Sequence, residues 1–337
     1  MYRLLRPLLF RLDPERAQSV ALAALSVRHR LGLARDRAPG TGAVELFGLR
    51  FTNRIGLAAG FDKSARHIDA LGELGFGFIE VGTVTPRAQP GNPAPNLFRL
   101  VEDGALINRM GFNNEGVEQV ARRLEARRYR GICGVNIGKN ADTPIEQSSR
   151  DYVECLRAVY GTADYVTVNI SSPNTRGLRS LQGAAELPAL LAELSEAREQ
   201  LQSSHAGKRL PLLLKLSPDL SAADLDRIAP QLLASAFDGV LATNTTIGRP
   251  AFLRSRFAAE EGGLSGRPLQ PLSLATIAGL RARLGAQYPI IGIGGISSVA
   301  HAQAAIGAGA DLLQVYTGLV YEGPGLIKRL RRSGLWT

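Results

Sequence analysis

The hydrophobic positions from residue 54 onward fall into eight short runs separated by longer amphipathic stretches. Short runs of branched apolar residues that end in glycine or small polar residues predict buried strands. The predicted strands are Ile55–Ala59, Phe78–Gly82, Ile132–Ile137, Tyr165–Ile170, Leu212–Leu216, Gly239–Ala242, Ile290–Ile293 and Leu312–Tyr316. Eight strand–helix units predict an α/β fold, a (β/α)8 TIM barrel. An open doubly wound sheet is the alternative, but no G-x-G-x-x-G follows the first strand.

The residues that follow the predicted strands are polar and rich in glycine. In a barrel of this kind, the functional loops follow the C-terminal ends of the strands. Gly294-Gly295 and Thr317-Gly318 follow the last two strands, where such barrels commonly bind phosphate. The pattern therefore predicts a phosphorylated ligand, although glycines also permit tight turns.

Lysines and asparagines are concentrated at the same strand ends. Three of the five lysines stand there: Lys63, Lys139 and Lys215. The asparagines at or near the exits are Asn108, Asn136, Asn169, Asn174 and Asn244. An ammonium group neutralises an anion, and an amide offers both a donor and an acceptor. Together they suit a planar anionic ligand, whereas each alone is also explained as a rim or turn residue.

The first 37 residues form a basic, leucine-rich segment. One helical face carries Leu4, Leu5, Leu8, Leu9 and Leu12, and arginines occupy the remainder. Asp13-Pro14-Glu15 then supplies the start of a second helix, with Val20, Ala24, Val27 and Leu31 along one side. Two interpretations stay open: a helical hairpin packed on the barrel, or an amphipathic element at a membrane surface. No apolar run approaches the roughly 20 residues that span a bilayer, and no signal-peptide cleavage pattern is present.

We therefore divide the chain into three parts. Residues 1–37 are the N-terminal amphipathic helical extension, 38–53 the linker and barrel entry, and 54–337 the barrel.

The net charge and the small numbers of cysteine and histidine residues limit the classes of ligand that the chain is expected to bind. The formal net charge is +10, and residues 1–37 contribute half of it, with eight arginines against three acids. No basic region is interleaved with aromatic residues, so anionic lipid or small anionic ligands are favoured over nucleic acid. Cys133 and Cys155 are too few for a disulfide framework. Together with four scattered histidines, they predict no protein-held metal or iron–sulfur cluster.

The motifs at the strand ends, taken in order, resemble the dihydroorotate dehydrogenase family, in particular its membrane-associated, quinone-dependent class. They are GLAAGFDK (56–63), IEVGTVTPRAQPGNPAPNLFRL (79–100), INRMGFNN (107–114), NIGKN (136–140), NISSPNTRGLR (169–179), TNTT (243–246), GGLSGRPL (262–269), IIGIGGI (290–296) and QVYTG (314–318). LDPERA (12–17) resembles the part of that class that surrounds the quinone. The resemblance covers almost the whole barrel.

The resemblance implies an FMN cofactor, oxidation of dihydroorotate to orotate in pyrimidine synthesis, and reoxidation of the flavin by a membrane quinone. The implied FMN contacts are Ala59, Gly60, Lys63, Thr83, Asn136, Asn169, Lys215, Thr243, Gly266, Gly295, Tyr316 and Thr317. The implied substrate contacts are Lys63, Asn108, Arg109, Met110, Gly111, Phe112, Asn169, Asn174, Asn244 and Thr245.

The implied catalytic base is Ser172. The reaction removes one C–H as a proton, which needs a base, and the neighbouring one as a hydride to the flavin. The family's soluble class uses a cysteine where this chain has Ser172. An unassisted hydroxyl is a weak base, so we expect a relay through Thr175 or a water, and we expect Ser171 to point elsewhere. The developing negative charge on the flavin suits Lys215.

The implied quinone site contains Gln18, Arg99 and Tyr316. Some relatives carry a histidine where this chain has Gln18, which leaves the preferred quinone open. The implied location is the cytoplasmic face of a bacterial inner membrane, with no obligate protein partner. One alternative is another FMN-dependent TIM-barrel oxidoreductase that acts on a related pyrimidine. Another is a non-catalytic peripheral membrane protein, which would bind no flavin.

Overall fold

The fold was obtained as a computed structural model, which describes residues 2–33 and 42–335. The α-helices are α1 (Tyr2–Leu9), α2 (Pro14–Arg30), α3 (Ile68–Gly72), α4 (Val117–Glu125), α5 (Ser148–Val159), α6 (Glu186–Ser204), α7 (Ala222–Ala234), α8 (Gln270–Leu284), α9 (Val299–Gly307), α10 (Thr317–Glu322) and α11 (Gly325–Arg332). The strands are β1 (Val44–Leu46), β2 (Leu49–Phe51), β3 (Ile55–Leu57), β4 (Phe78–Val84), β5 (Leu97–Leu100), β6 (Ala105–Asn108), β7 (Ile132–Ile137), β8 (Tyr165–Asn169), β9 (Leu212–Leu216), β10 (Gly239–Ala242), β11 (Gly263–Gly266), β12 (Ile290–Ile293) and β13 (Leu312–Val315).

Eight parallel strands close into a barrel in the order β10-β12-β13-β3-β4-β7-β8-β9. These are the eight predicted strands, so the predicted (β/α)8 barrel is confirmed. The helices between them bury their apolar faces against the strands, as the helical spacing of apolar residues requires.

The β1–β2 hairpin closes the N-terminal end of the barrel. Phe51 is fully buried, and its ring meets that of Phe78 edge to face at 5.2 Å between centroids. Inward-facing aliphatic side chains complete this layer: Leu213, Leu241, Ile291 and Leu312. The C-terminal ends of the strands therefore lie above a packed apolar layer, the barrel floor, rather than above an open channel. The hairpin lies within residues 38–53, the stretch predicted as linker and barrel entry. Residues 34–41, which include the predicted boundary at residue 37, lie outside the described residues.

A second, three-stranded antiparallel sheet lies beside the C-terminal end of the barrel. Its order is β11-β6-β5, so it joins the segment after β4 to the segment after β10. This sheet brings Asn108 and Ser265 to the mouth of the barrel.

The N-terminal extension is a pair of helices that packs on the barrel. Asp13 caps α2 by accepting hydrogen bonds from the backbone N–H groups of Glu15 and Arg16, and Pro14 is the first helical residue, as predicted. Leu22 of α2 is buried, whereas Leu4 of α1 is 81% exposed. Other apolar side chains of the pair are also exposed: Leu5, Leu8, Val20, Val27 and Leu31. No helix within the described residues is long and apolar enough to cross a membrane.

Candidate active site

A cavity of about 160 Å³ opens at the C-terminal ends of the barrel strands. Most of the predicted ligand contacts line it: Ala59, Gly60, Lys63, Thr83, Asn108, Met110, Gly111, Phe112, Asn169, Ser172, Asn174, Lys215, Thr243, Asn244, Thr245, Gly266, Gly295, Tyr316 and Thr317. These residues come from segments spread along most of the barrel sequence, and closure of the sheet brings them together at one end. We call this space the polar cavity.

Three residues that the sequence analysis singled out at the strand ends do not line the polar cavity: Arg109, Lys139 and Asn136. Arg109 does not line the polar cavity, because it follows Asn108 on an extended chain and neighbouring side chains alternate between faces. Its guanidinium instead pairs with Glu260 at 2.8 Å and stacks over Phe98. Lys139, although at a strand end, donates to the backbone carbonyls of Asn140 and Thr143.

Asn136, the third of these residues, lies beneath the lining and stays a predicted cofactor contact. The side chain is fully buried, and its Oδ1 accepts hydrogen bonds from Thr83 Oγ1 at 2.6 Å and Asn169 Nδ2 at 3.1 Å. Asn136 therefore supports two residues that do line the polar cavity.

Ser172 and Ser171 differ in their surroundings. Ser172 lines the polar cavity, and its Oγ accepts a hydrogen bond from the backbone N–H of Asn174 at 3.2 Å. Ser171 is fully buried, and its Oγ donates to Asn169 Oδ1 and accepts from Asn244 Nδ2. Thr175 Oγ1 is buried and has no hydrogen-bond partner among the described residues. Of the two serines, only Ser172 is placed to meet a ligand.

Arg179 connects the turn that carries Ser171 and Ser172, which we call the serine turn, to the neighbouring strand ends. Sequence reasoning missed this role. Its Nε donates to the carbonyl of Ser171 at 3.0 Å, and its Nη2 donates to the carbonyl of Thr245 at 2.8 Å. Its Nη1 pairs with Asp219 at 2.7 Å. One planar guanidinium thus holds the exits of β8, β9 and β10 in a fixed arrangement. Its place at the end of the NISSPNTRGLR motif was the available signal.

Two lysines supply positive charge to the polar cavity. Lys63 Nζ donates to Asn113 Oδ1 and contacts Met110 Sδ, each at 2.8 Å. Burial lowers the pKa of Lys63 to about 8, against an opposing effect of Glu15. Burial also lowers the pKa of Lys215, and the nearby Glu80 carboxylate counteracts this. Lys215 lines the polar cavity, so its ammonium is placed to meet a ligand there.

Glycines form a cradle at the ends of β12 and β13. A Cβ on Gly295 would lie 2.4 Å from Gln270 Cβ, and Gly295 has a φ of +70°. A Cβ on Gly318 would lie 2.0 Å from the carbonyl oxygen of Ile296. Beside them, Thr317 and Ser265 hydroxyls lie 2.8 Å apart. Backbone N–H groups and hydroxyls in such close array suit a phosphate.

A polar ring system fits next to that cradle. Lys215 lines the polar cavity, and Gln314 Oε1 is buried without a partner among the residues that the structure describes. The residues present therefore fit a phosphorylated cofactor with a hydrogen-bonding ring, such as FMN. Across the same ranges, no cluster of three or more His, Cys, Asp or Glu side chains is placed to hold a metal ion.

A second, largely apolar cavity of about 390 Å³ lies between the N-terminal helices and the barrel. We call it the apolar cavity. Gln18, Arg99 and Tyr316, the predicted quinone contacts, all line it. Gln18 Nε2 donates to the carbonyl of Phe61 at 3.0 Å, and Arg99 donates to the carbonyl of Phe10 while stacking over its ring.

Three residues line both cavities: Leu97, Leu106 and Tyr316. They separate the two spaces by the thickness of one layer of side chains. Burial raises the pKa of Tyr316 to about 12, so its hydroxyl stays protonated at neutral pH. A cofactor in the polar cavity would therefore lie one side chain away from an apolar molecule in the other.

Comparisons with known proteins agree on one family. The family model described as dihydroorotate dehydrogenase matches residues 42–333. A protein named dihydroorotate dehydrogenase (quinone) from Paraburkholderia xenovorans is 54% identical over 97% of this chain and 96% of its own length. A protein of the same name from Marinobacter nauticus is 53% identical over the same shares. A crystal structure of DHODH from Eimeria tenella in complex with ferulenol superposes with a TM-score of 0.88 at 38% identity, covering 95% of this chain and 90% of that one.

Proposed function

The chain belongs to the dihydroorotate dehydrogenase family, and from this premise we propose that it oxidises dihydroorotate to orotate with FMN and a membrane quinone. The reaction serves pyrimidine synthesis. One observation carries the proposal: a polar and an apolar cavity share a partition of three side chains, Leu97, Leu106 and Tyr316. Such a pair suits a charged substrate and an apolar electron acceptor that never meet.

In this proposal Gly295 and Gly318 would hold the phosphate of FMN at the glycine cradle of the polar cavity. When bound, FMN accepts two electrons from dihydroorotate and passes them to the quinone. Lys215, which lines the same cavity, would hold the ring and supply a positive charge that favours the reduced form. Asn169 and Thr83 fix the ring's orientation, with Asn136 beneath them.

The substrate lies between the cofactor and the serine turn. Lys63 neutralises its carboxylate, and asparagine amides meet the C=O and N–H groups of its ring edge. The amides that line the polar cavity are Asn108, Asn169, Asn174 and Asn244. Asn174 Nδ2 donates to Asn108 Oδ1 at 3.0 Å, so this pair is held in one orientation before any ligand arrives.

Ser172 removes the substrate proton. Ser172 Oγ takes that proton while its own hydroxyl proton leaves, and the hydrogen bond from the backbone N–H of Asn174 orients the oxygen and stabilises the negative charge that loss of the hydroxyl proton develops on it. The proton then leaves by a relay for which the buried, unpartnered hydroxyl of Thr175 is a candidate. A water molecule is the alternative carrier.

Single-turnover reduction of the flavin tests the role of Ser172. Ser172→Ala is expected to retain FMN and to reduce its flavin with dihydroorotate at least about a hundredfold more slowly than the wild type, because a positioned base contributes 10²–10⁴-fold. Ser180→Ala, at a nearby serine that bonds only its local backbone, is the matched control and keeps the wild-type rate. A wild-type rate in Ser172→Ala would remove Ser172 as the base.

The same proposal places the protein on a membrane surface, at the cytoplasmic face of a bacterial inner membrane. The exposed leucines of α1 and the arginine-rich composition of residues 1–37 support this, because apolar side chains enter the acyl boundary while arginines meet lipid phosphates. Removal of residues 1–37 should spare flavin reduction by dihydroorotate and impair both liposome binding and transfer to a long-chain quinone. Unchanged binding and unchanged quinone turnover would contradict it.

A further inference from the structure

Glu80 places a carboxylate inside the barrel, in the layer directly below the polar cavity. The side chain is fully buried and lies on β4 among apolar neighbours in sequence. Oε1 accepts a hydrogen bond from Asn136 Nδ2 at 2.8 Å. Oε2 accepts hydrogen bonds from three side chains: Tyr165 OH at 3.0 Å, Thr167 Oγ1 at 3.1 Å and Gln314 Nε2 at 2.8 Å. No step of the proposed reaction uses this carboxylate.

Asn136 connects Glu80 to a row of amides that leads to the substrate side of the polar cavity. Asn244 Nδ2 donates to Asn169 Oδ1 at 3.2 Å, and Asn169 Nδ2 donates to Asn136 Oδ1 at 3.1 Å. Asn136 Nδ2 then donates to Glu80. We call Asn244, Asn169 and Asn136 the amide row. Every link in it points the same way, with nitrogen towards Glu80 and oxygen towards the substrate.

The outer end of the row is fixed by groups that can only donate. The backbone N–H of Thr245 donates to Asn244 Oδ1 at 2.8 Å, and that of Ser171 donates to Asn169 Oδ1 at 3.3 Å. Both amides must therefore turn their oxygens outward and their nitrogens inward. The row consequently needs a hydrogen-bond acceptor at its inner end, and Glu80 Oε1 is that acceptor.

We propose that Glu80 is a positioning residue that ends the amide row as its acceptor and so fixes the orientation of Asn136 and, through it, that of Asn169, which lines the polar cavity and meets its ligands. This inference rests on the proposed function only for the identity of those ligands. Without an acceptor at position 80, a buried Asn136 nitrogen is left unpaired or the amide turns over. A turned Asn136 would set its nitrogen against that of Asn169, which breaks the row at the cofactor site.

Replacement of Glu80 by glutamine distinguishes the ability to accept a hydrogen bond from the negative charge, because glutamine keeps an acceptor oxygen and is neutral. In Glu80→Gln the amide oxygen can face Asn136, while its nitrogen faces Tyr165 and Thr167, whose hydroxyls can accept. Gln314 can turn as well, because its Oε1 has no partner among the described residues. The row then survives with its direction intact. Glu80→Met keeps about the same volume but offers no acceptor of comparable strength.

The experiment measures FMN release from the holoenzyme on dilution, by the gain in free-flavin fluorescence, and orotate binding by perturbation of the flavin spectrum. Glu80→Gln is expected to keep both dissociation constants within about threefold of the wild type. Glu80→Met is expected to raise at least one of them by about tenfold or more, since an unpaired buried donor carries a penalty of that order. Tyr165→Phe, which removes a donor from Oε2 without interrupting the row, is the matched control and stays within about twofold.

Equal weakening in Glu80→Gln and Glu80→Met would overturn the inference, because charge rather than accepting would then matter. Wild-type binding in both would overturn it too. If Glu80→Met does not fold, a neutron map of the wild-type protein decides. Deuterium on the Asn136 atom that faces Glu80 supports the inference, and oxygen there refutes it. A wild type that binds neither FMN nor orotate would instead refute the proposed function, which the neutron map does not depend on.

Discussion

The depressed pKa of Lys63 makes a quantitative prediction about substrate binding. Burial lowers that pKa to about 8, so the ammonium form dominates at pH 7 and the neutral amine at pH 9. An anionic ligand that pairs with the ammonium raises the pKa in the complex. Its affinity is therefore fully present below pH 8 and is lost as the pH rises above it. With about nine-tenths of Lys63 charged at pH 7 and about one-tenth at pH 9, the orotate dissociation constant should rise about tenfold, or ~1.4 kcal/mol.

Titration of the flavin spectrum with orotate at pH 7, 8 and 9 measures this directly. Lys63→Arg provides the control, because a guanidinium stays charged throughout this range. Its dissociation constant should be nearly independent of pH, whatever its absolute value. A wild-type constant that is equal at pH 7 and pH 9 would refute the assignment of Lys63 as the group that binds the carboxylate.

Three further predictions concern the cradle, the apolar cavity and the barrel floor. Gly295→Ala should weaken FMN binding at least about tenfold in FMN titrations. Gly285→Ala is the control and should not, because Gly285 has a similar φ but nothing within 4 Å of the added Cβ. Equal effects of the two variants would contradict the glycine cradle. Ala24→Trp, in the lining of the apolar cavity, should slow turnover with a long-chain quinone while flavin reduction by dihydroorotate stays normal. Ala23 lies outside that lining, so the same loss in Ala23→Trp would count against the apolar cavity as the quinone site. Phe51→Ala should lower the free energy of unfolding in denaturant titrations by about 3–5 kcal/mol, since the ring is fully buried, and a change under 1 kcal/mol would mean that the hairpin is not a structural floor.

The barrel was predictable because each strand is a short apolar run that ends in polar residues, and each helix repeats its apolar positions at helical spacing. All eight barrel strands were found in this way, with differences of two residues at the ends of β3 and β4 and of one residue at the ends of β8 and β13. The cap of α2 was also predictable, since Asp13-Pro14-Glu15 satisfies the free N–H groups of a helix start by local chemistry alone.

The side-chain directions within the site were less predictable. The motif that contains Arg109 implies a substrate contact but does not encode its pairing with Glu260, which follows from alternation of side chains along the extended chain. The amide row and Glu80 depend on contacts between three strands, β4, β7 and β8, and the loop after β10, which no local pattern encodes. A signal for its inner end was nevertheless present, since Glu80 is an acidic residue in the middle of an otherwise apolar strand.

The central claim is that electrons from dihydroorotate pass through a flavin in the polar cavity to a quinone in the apolar cavity. The most direct test mixes FMN-loaded protein with dihydroorotate in the absence of oxygen, records the flavin absorbance, and then adds a quinone. We expect bleaching of the flavin with formation of one orotate per flavin, followed by full recovery of the absorbance on addition of quinone. A flavin that stays oxidised with dihydroorotate, or a protein that takes up no FMN, would contradict it.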